Sequence, residues 1–320
     1  MQISIVITLA LALLVQQTTV VGQGSPKNRP PSNLAHELRK TVGFLTTVYQ
    51  DAQVQKRAEG TCFLIALEDP RIGPSGFTYL VTNRHVAAPQ VNGRKARVIS
   101  ASVRLNRKQS GRGDRSVEIP LRPNWYFPAD ESVDLALMPF AADSNLFEVL
   151  YVSSEQFATR DLIESRAISE GDPIIMAGYF YLLPGRERIQ PIVRQGILAM
   201  LPDEKVQTTM GRDGTLYLGD LQVLGGNSGS PVFIKLGGNW RGRFYATEEA
   251  RLIGIVSGYF YEDEELKLRI STLLTGELKT NSGISAIVPV DELVKLLNLP
   301  ELQSMREAAI KSLESRWLGL

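Results

Sequence analysis

The chain contains few of the residues that stabilise small extracellular domains or bind metals. Its 320 residues include one cysteine, Cys62, and two histidines, His36 and His85. A single thiol cannot form an intrachain disulfide, so the hydrophobic core must stabilise the fold alone. These residues are too few for a Cys/His zinc site, and we expect no metal and no cofactor. We interpret Cys62 as a small buried residue of an apolar strand.

An excess of charge of either sign is also missing. Lys and Arg number 35 against 34 Asp and Glu, which leaves a formal net charge of +1. Proteins that bind nucleic acids or anionic membranes usually present a strongly basic surface. We therefore expect no nucleic-acid partner.

Long apolar runs are absent beyond the N-terminus. Residues 3–15, ISIVITLALALLV, are too few to span a bilayer comfortably, and Val20-Val21-Gly22 offers a cleavage site after polar residues. We predict a signal peptide at 1–22 and a secreted or periplasmic protein with no membrane span after cleavage. Because Met1-Gln2 carries no positive charge, an uncleaved N-terminal membrane anchor is the alternative.

The rest of the chain has the pattern of an all-β protein. Residues 23–40 are predicted to be a Pro-rich linker and a short helix capped by Asn33. Short runs rich in Val, Ile, Tyr, Phe and Thr follow, bounded by turn residues, and among them we predict strands at 116–121 and 252–259. Many short strands of this kind are typical of barrels or sandwiches. The end of the chain is predicted to be helical, with Asp291 as a possible N-cap. The last helix is amphipathic and is expected to pack on its own domain.

Ser228 is a candidate nucleophile. It lies in LGGNSGSPVF, residues 224–233, where Gly225, Gly226 and Gly229 permit positive φ and close approach of a substrate. A serine nucleophile needs a neighbouring base and backbone N–H groups that face the developing oxyanion. An ordinary Gly-rich turn explains the same residues.

His85 and Asp134 are the candidate partners of that serine. His85 follows an apolar strand in TNRHVAA, and imidazole is the side chain best suited to carry a proton near neutral pH. Asp134 precedes an apolar strand in VDLALM, where a buried carboxylate needs a partner such as an imidazole N–H. Taken singly, a structural histidine and a turn-capping aspartate remain open.

Together the three segments resemble a known family. TNRHV, VDLALM and GGNSGSP, in this order, resemble the catalytic blocks of the trypsin-like (chymotrypsin-fold) serine peptidases, in their bacterial secreted and Deg-type branch. The segments GTCFLIA, EGDPIIMAGYF, GIVSGYF and GISAIVPVDEL extend the resemblance over about residues 41–298. It implies two six-stranded antiparallel β-barrels with C-terminal helices. The implied divisions are an N-terminal barrel at 41–145, a C-terminal barrel at 146–290 and helices at 291–320.

The resemblance also implies a role for each site residue. Ser228 would be the nucleophile of a serine endopeptidase, His85 the general base and then acid, and Asp134 its orienting partner. The N–H groups of Gly226 and Ser228 would form the oxyanion hole, and a polypeptide would be the substrate. The implied substrate-binding residues are Gln222, Ser257, Gly258 and Tyr259.

The chain departs from the digestive enzymes of that family at Asn227. Those enzymes carry an aspartate there, which pairs with a new N-terminal ammonium after zymogen cleavage. Asparagine cannot form that ion pair, so we predict no activation of this kind. The uncharged Gln222 removes the usual basis for a strict Lys/Arg preference. The residues after 298 are too few for the PDZ domain that Deg-type enzymes usually carry.

Two other functions are compatible with parts of this sequence. An α/β-hydrolase is disfavoured because both histidines precede Ser228 and Pro231 begins a strand where that fold requires a helix. A non-catalytic peptide- or protein-binding module on the same fold remains the alternative, because a fold does not guarantee a function. The sequence predicts no oligomeric state.

Overall fold

The computed structural model describes residues 15–16, 33–72, 76–108, 115–240, 243–269 and 273–318. The predicted signal peptide, apart from residues 15–16, and the predicted linker before residue 33 lie outside these ranges. Within them, no helix combines the length and the apolar character needed to cross a bilayer.

The N-terminal half forms an eight-stranded sheet. Six strands come from residues 42–139, and the two-residue strands β1 and β10 add to them. The order β1-β4-β3-β2-β7-β8 is antiparallel, β9 pairs with β4, and β10 pairs with β3 in parallel. A separate hairpin is formed by β5 and β6. The strands are β1 (Val15–Gln16), β2 (Val42–Asp51), β3 (Val54–Glu68), β4 (Gly76–Thr82), β5 (Gln90–Val91), β6 (Arg94–Lys95), β7 (Arg97–Asn106), β8 (Ser116–Leu121), β9 (Ala136–Pro139) and β10 (Val152–Ser153).

The C-terminal half is a closed six-stranded barrel. Its order is β11-β12-β15-β18-β17-β16, and a small hairpin of β13 and β14 is inserted between β12 and β15. The predicted all-β fold with C-terminal helices is confirmed. The strands are β11 (Pro173–Gly178), β12 (Ile192–Met200), β13 (Val206–Gln207), β14 (Asp213–Gly214), β15 (Tyr217–Asp220), β16 (Pro231–Trp240), β17 (Arg243–Arg269) and β18 (Leu273–Pro289).

Short helices connect the strands and two longer ones end the chain. They are α1 (Leu34–Leu38), α2 (Arg84–Ala87), α3 (Arg160–Ser165), α4 (Val290–Leu297) and α5 (Pro300–Leu318), with 3₁₀ turns at Pro70–Ile72 and Ser154–Gln156. Asn33 caps α1 as predicted, since its side chain accepts a hydrogen bond from the Ala35 N–H. Asp291 is not the N-cap of α4. That position belongs to Pro289, because β18 runs directly into the helix and places Asp291 in its first turn.

One hydrophobic core joins the two halves. A single cluster contains Phe63 and Val81 of the N-terminal sheet together with Ile255 and Val288 of the C-terminal barrel. Leu302, Ala309 and Ile310 of α5 belong to the same cluster, which confirms that this helix packs on its own chain. Cys62 is fully buried, as interpreted, and burial raises the pKa of its thiol.

Candidate active site

Strand pairing brings His85 and Asp134 together. Strands β4 and β9 are antiparallel neighbours in which Thr82 faces Ala136. His85 follows the end of β4 by three residues and Asp134 precedes β9 by two, so both lie at the same edge of the sheet. The pairing of these two strands therefore joins residues that are 49 positions apart in sequence.

The Asp134 carboxylate is buried and accepts hydrogen bonds from three donors. Its side chain is 2% exposed, and Oδ2 lies 2.6 Å from His85 Nδ1. The His85 backbone N–H donates to Oδ1 at 3.0 Å, and the Ser257 hydroxyl donates to Oδ2 at 3.0 Å. The Asn83 side-chain amide donates to the Asp134 carbonyl oxygen at 2.8 Å. A carboxylate can only accept, so the hydrogen between the two side chains is on Nδ1 of His85 and the outer nitrogen Nε2 is the basic one.

The His85 imidazole is held by Asp134 yet remains accessible. Its side chain is 42% exposed. Burial acts to lower the pKa of His85, but the attraction of Asp134 and the hydrogen bond to it outweigh burial and raise this pKa above its ordinary value. The imidazolium form is therefore stabilised, as a group that takes up a proton during a reaction requires.

Ser228 follows a tight turn with unpaired amides. The Asn227 N–H donates to the Leu224 carbonyl at 3.0 Å, and Gly226 at the third position has φ +92°. A positive φ at this position, after a Gly225 whose φ is not positive, is typical of a type II turn and favours glycine. Within the described part of the chain, the N–H groups of Gly226 and Ser228 donate no hydrogen bond. They are the two amides that the family resemblance implies for an oxyanion hole.

Thr61 of β3 holds this turn against the N-terminal sheet. Its buried hydroxyl donates to the Gly226 carbonyl at 2.9 Å and accepts from the Tyr179 N–H at 2.8 Å. Its backbone N–H donates to the Ser228 carbonyl at 2.8 Å. Gly229, with φ +85°, passes so close that a Cβ would lie 2.1 Å from the Thr61 carbonyl oxygen. No other residue type fits at position 229 without a shift of the backbone.

Asn227 stabilises the turn through its own side-chain amide. The residue is fully buried. Its Oδ1 accepts from the Leu224 N–H at 2.8 Å, and its Nδ2 donates to the Tyr179 carbonyl at 2.6 Å. A neutral amide supplies one acceptor and one donor here, so this buried position needs no cation.

The third predicted residue, Ser228, lies close to the helix that carries His85. A Cβ on Gly60 would lie 2.9 Å from the Val86 side chain and 3.0 Å from the Ser228 carbonyl oxygen. Gly60 thus fills the space between the Ser228 backbone and α2. Among the described contacts, none is a hydrogen bond between the Ser228 hydroxyl and the His85 ring.

The predicted substrate-binding residues lie on one strand of the barrel and just after another. Ser257, Gly258 and Tyr259 lie on β17, and Gln222 is exposed just after β15. Strand β18 separates β15 from β17, and Ser285 faces Tyr259 in the β17–β18 register. The Ser257 hydroxyl donates to Asp134. Ser257 therefore contacts the side chain that holds His85, in addition to its predicted role in substrate binding.

Sequence reasoning missed Thr209, in the loop of the β13–β14 hairpin. The hydroxyls of Thr209 and Ser257 are hydrogen-bonded. Because Ser257 uses its single hydrogen on Asp134, Thr209 must be the donor in this bond. The hydrogen bonds therefore run in one direction, from Thr209 through Ser257 to Asp134. No motif marks Thr209, and only the fold brings it to the site.

A cavity of about 400 Å³ lies beside His85. Met210, the residue after Thr209, lines it together with Tyr49 and Arg57 of the N-terminal sheet. The β13–β14 hairpin therefore lies at the edge of the site. Gly258 also faces this hairpin, since a Cβ there would lie 3.3 Å from Thr209 Cγ2.

The solved structures to which the chain is similar are distant in sequence. An HtrA-type protease, AlgW with a tripeptide, is 16% identical, with 82% of this chain and 60% of that chain covered and a TM-score of 0.46. The MamO protease domain from Magnetospirillum magneticum is 15% identical, with 82% and 98% covered and a TM-score of 0.42. These likenesses are too remote to assign a substrate or a partner.

A family model gives the stronger evidence. No curated protein is similar enough in sequence to count as a match. The model of the trypsin-like peptidase domain matches residues 60–242, which is more than half of the chain and includes His85, Asp134 and Ser228. The chain belongs to the trypsin-like peptidase family.

Proposed function

We propose that this protein is a serine endopeptidase that cleaves polypeptides through an acyl-enzyme intermediate. The observation that carries the proposal is the hydrogen bond of 2.6 Å between His85 Nδ1 and the buried Asp134 carboxylate. It orients an imidazole at the edge of the N-terminal sheet, next to the segment that bears Ser228. Membership of the trypsin-like peptidase family supports the same function.

In the proposed mechanism, His85 Nε2 removes the proton from the Ser228 hydroxyl as the oxygen attacks the carbonyl carbon of the scissile bond. The N–H groups of Gly226 and Ser228 then donate to the oxyanion of the tetrahedral intermediate. The imidazolium, stabilised by Asp134, gives its proton to the leaving amine. Water, deprotonated in turn by His85, hydrolyses the ester and regenerates the Ser228 hydroxyl.

The turn at residues 224–227, here called the oxyanion turn, needs no N-terminal ammonium to form in the proposed enzyme. Asn227 is fully buried and uses both ends of its amide within the turn and its surroundings. An aspartate at the same place would bury a charge and require a cation. We therefore propose that the turn is already formed without zymogen-type cleavage.

The experiment is active-site labelling with a fluorophosphonate probe, read by mass spectrometry. The expected result is a single adduct on Ser228 and hydrolysis of an unstructured protein such as casein. Ser228→Ala should abolish the adduct and lower kcat by about 10⁶-fold. Labelling on another residue, or an unchanged rate in Ser228→Ala, contradicts the proposal.

The alternative is a non-catalytic peptide-binding module. One observation favours it, namely that the described Ser228 hydroxyl makes no hydrogen bond to His85. Catalytic hydrogen bonds are often long in unliganded enzymes and shorten only with substrate bound. If the protein is such a module, peptides should bind equally well to the wild type and to Ser228→Ala. Neither protein should react with the fluorophosphonate probe.

A further inference from the structure

A second cavity lies where α1, the end of β7 and the segment between β11 and β12 meet. Its volume is about 740 Å³ and four chain segments line it, at 36–42, 105–108, 148–150 and 188–191. It shares no lining residue with the cavity beside His85. The volume lies in the range of about 300–1,000 Å³ that is usual for small-molecule sites.

Hydrogen bonds fix the walls of this cavity to one another. The Leu150 N–H donates to the Lys40 carbonyl, and the Glu148 N–H donates to the Asn106 carbonyl, each at 2.9 Å. The Asn106 side chain donates to the Ile189 carbonyl at 3.1 Å and accepts from the Ile189 N–H at 2.8 Å. The cavity is therefore formed before any ligand arrives, which lowers the entropic cost of binding.

The lining carries more positive charge than the molecule as a whole. The lining contains four cationic side chains and one carboxylate, Glu148, so its formal charge is +3 in a chain whose net charge is +1. The cations are Arg39, Lys40, Lys108 and Arg188. Such a concentration of one sign in a concave site raises the local concentration of anions.

Two of these cations remain available for a ligand. Lys40 forms an ion pair with Glu37 at 2.9 Å, and Arg188 pairs with Glu148. The side chains of Arg39 and Lys108 have no ion pair or hydrogen bond to any described residue. His36, exposed at the rim, adds a further nitrogen.

The floor of the cavity is apolar. It contains Val42, Leu105, Val149 and Ile189, all of them buried. A ligand that fits the whole cavity therefore combines an anionic group with an apolar or aromatic part. Phosphate suits the two free cations because it carries up to two charges and several acceptor oxygens, and arginine binds it through paired N–H groups.

We propose that this cavity is a binding site for a small organic phosphate of nucleotide size. The phosphate contacts Arg39 and Lys108, and the organic part rests on the apolar floor. The site is separate from the proposed peptidase chemistry. The limited volume of the cavity and the near-neutral net charge of the chain favour a small molecule over a nucleic acid.

The test is isothermal titration of the 320-residue chain with ATP, inorganic pyrophosphate, adenosine, an acidic peptide and a short oligonucleotide. We expect ATP to bind more tightly than pyrophosphate, and adenosine not to bind at millimolar concentration. The combined substitutions Arg39→Ala and Lys108→Ala should weaken ATP binding by about tenfold or more. The matched control is Arg94→Ala with Lys95→Ala, two exposed cations of β6, and it should bind ATP like the wild type.

Four results would overturn the proposal. The first two are an absence of ATP and pyrophosphate binding at low ionic strength, and equal binding of adenosine and ATP. The third is an equal loss of ATP affinity in the test and control variants. The fourth is binding of an acidic peptide or an oligonucleotide but not of ATP. Because Arg39 and Lys108 are exposed, both variants should fold, and equal melting temperatures of the two variants and the wild type should verify this.

Discussion

At the scale of single residues, the site depends on how one buried carboxylate is satisfied. Asp134 accepts from the His85 ring, the His85 backbone and the Ser257 hydroxyl. An unpaired charge in that position would cost several kcal/mol, so each donor contributes to holding the carboxylate in its orientation. The Thr209 hydroxyl adds one more group, because it is hydrogen-bonded to Ser257. Thr209 is far from Ser257 in sequence, and no sequence pattern marks it as part of the site.

Asp134→Asn tests the link between the carboxylate and the imidazole. Asp134 raises the pKa of His85 against the opposing effect of burial. Since only neutral His85 acts as a base, activity should appear as pH rises through this pKa, above the ordinary value of about 6.5. The variant should lose about 10⁴-fold in kcat, and its acid limb should move to lower pH. The measurement is kcat/KM against pH, and an acid limb that does not move contradicts the assignment.

Thr209→Val tests whether Thr209 is a positioning residue. The substitution keeps the shape of the side chain and removes the hydroxyl that donates to Ser257. We expect a several-fold fall in kcat and a shift of the acid limb of kcat/KM against pH. Without the Thr209 donor, the Ser257 hydroxyl is no longer constrained to donate to Asp134. Thr209→Ser, the matched control, keeps the hydroxyl and should behave like the wild type. A change in melting temperature with an unchanged pH profile would indicate a purely structural role.

At the scale of elements, β3 links the two halves at the site. It is the strand before β4 and carries Thr61, which bonds both the oxyanion turn and the end of β11. The turn residues Gly226 and Gly229 belong to the other half of the chain. The geometry of the proposed oxyanion hole is therefore set by the docking of β3 against the barrel and not by the turn alone.

Thr61→Val should weaken both stability and catalysis. It leaves the Tyr179 N–H without its acceptor, at a cost of about 1–3 kcal/mol in the free energy of unfolding. A loosened turn should lower kcat by between about 10-fold and 10³-fold, the upper figure being the loss of a whole oxyanion donor. Urea denaturation and steady-state kinetics measure the two effects. Thr61→Ser retains the hydroxyl as the control, and an unchanged kcat in Thr61→Val refutes the docking argument.

At the scale of the whole molecule, one shared core makes the two halves interdependent. The cluster that contains Phe63 and Ile255 also contains Leu302 and Ile310 of α5. Arg306 of the same helix donates to the Tyr79 hydroxyl at 3.0 Å and to the Leu297 carbonyl at 2.9 Å. The last helix therefore covers the N-terminal sheet, although it is far from that sheet in sequence.

Ile310→Ala tests this coupling. Deleting a buried isoleucine side chain costs about 2–5 kcal/mol of folding free energy. Because the cluster is shared, loss of activity and unfolding of both halves should occur in one transition. Denaturation followed by fluorescence and by residual activity measures both. The neighbouring exposed Lys311→Ala should stay within about 0.5 kcal/mol of the wild type. Two separate transitions in Ile310→Ala contradict the shared core.

The strands show where local sequence is informative and where it is not. Turn residues and β-propensity predict the strand Ser116–Leu121 with its observed bounds. The same reasoning predicts only residues 252–259 for β17, which in fact runs from Arg243 to Arg269. Its outer part includes the acidic run 262–265, whose charged residues have low β-propensity. Pairing with β18 forms the strand there, and that pairing cannot be read from one segment.

The sequence by itself determined the fold class, the capped helix at Asn33, the buried Cys62 and the identity of the three candidate catalytic residues. These properties follow from local composition, turn chemistry and short segments typical of one family. Only the tertiary structure decided which groups surround Asp134, how Thr61 holds the turn beside Ser228, and that Thr209 reaches the site. Such contacts join residues far apart in the chain, and they exist only when the strands pair and the two halves pack on a common core.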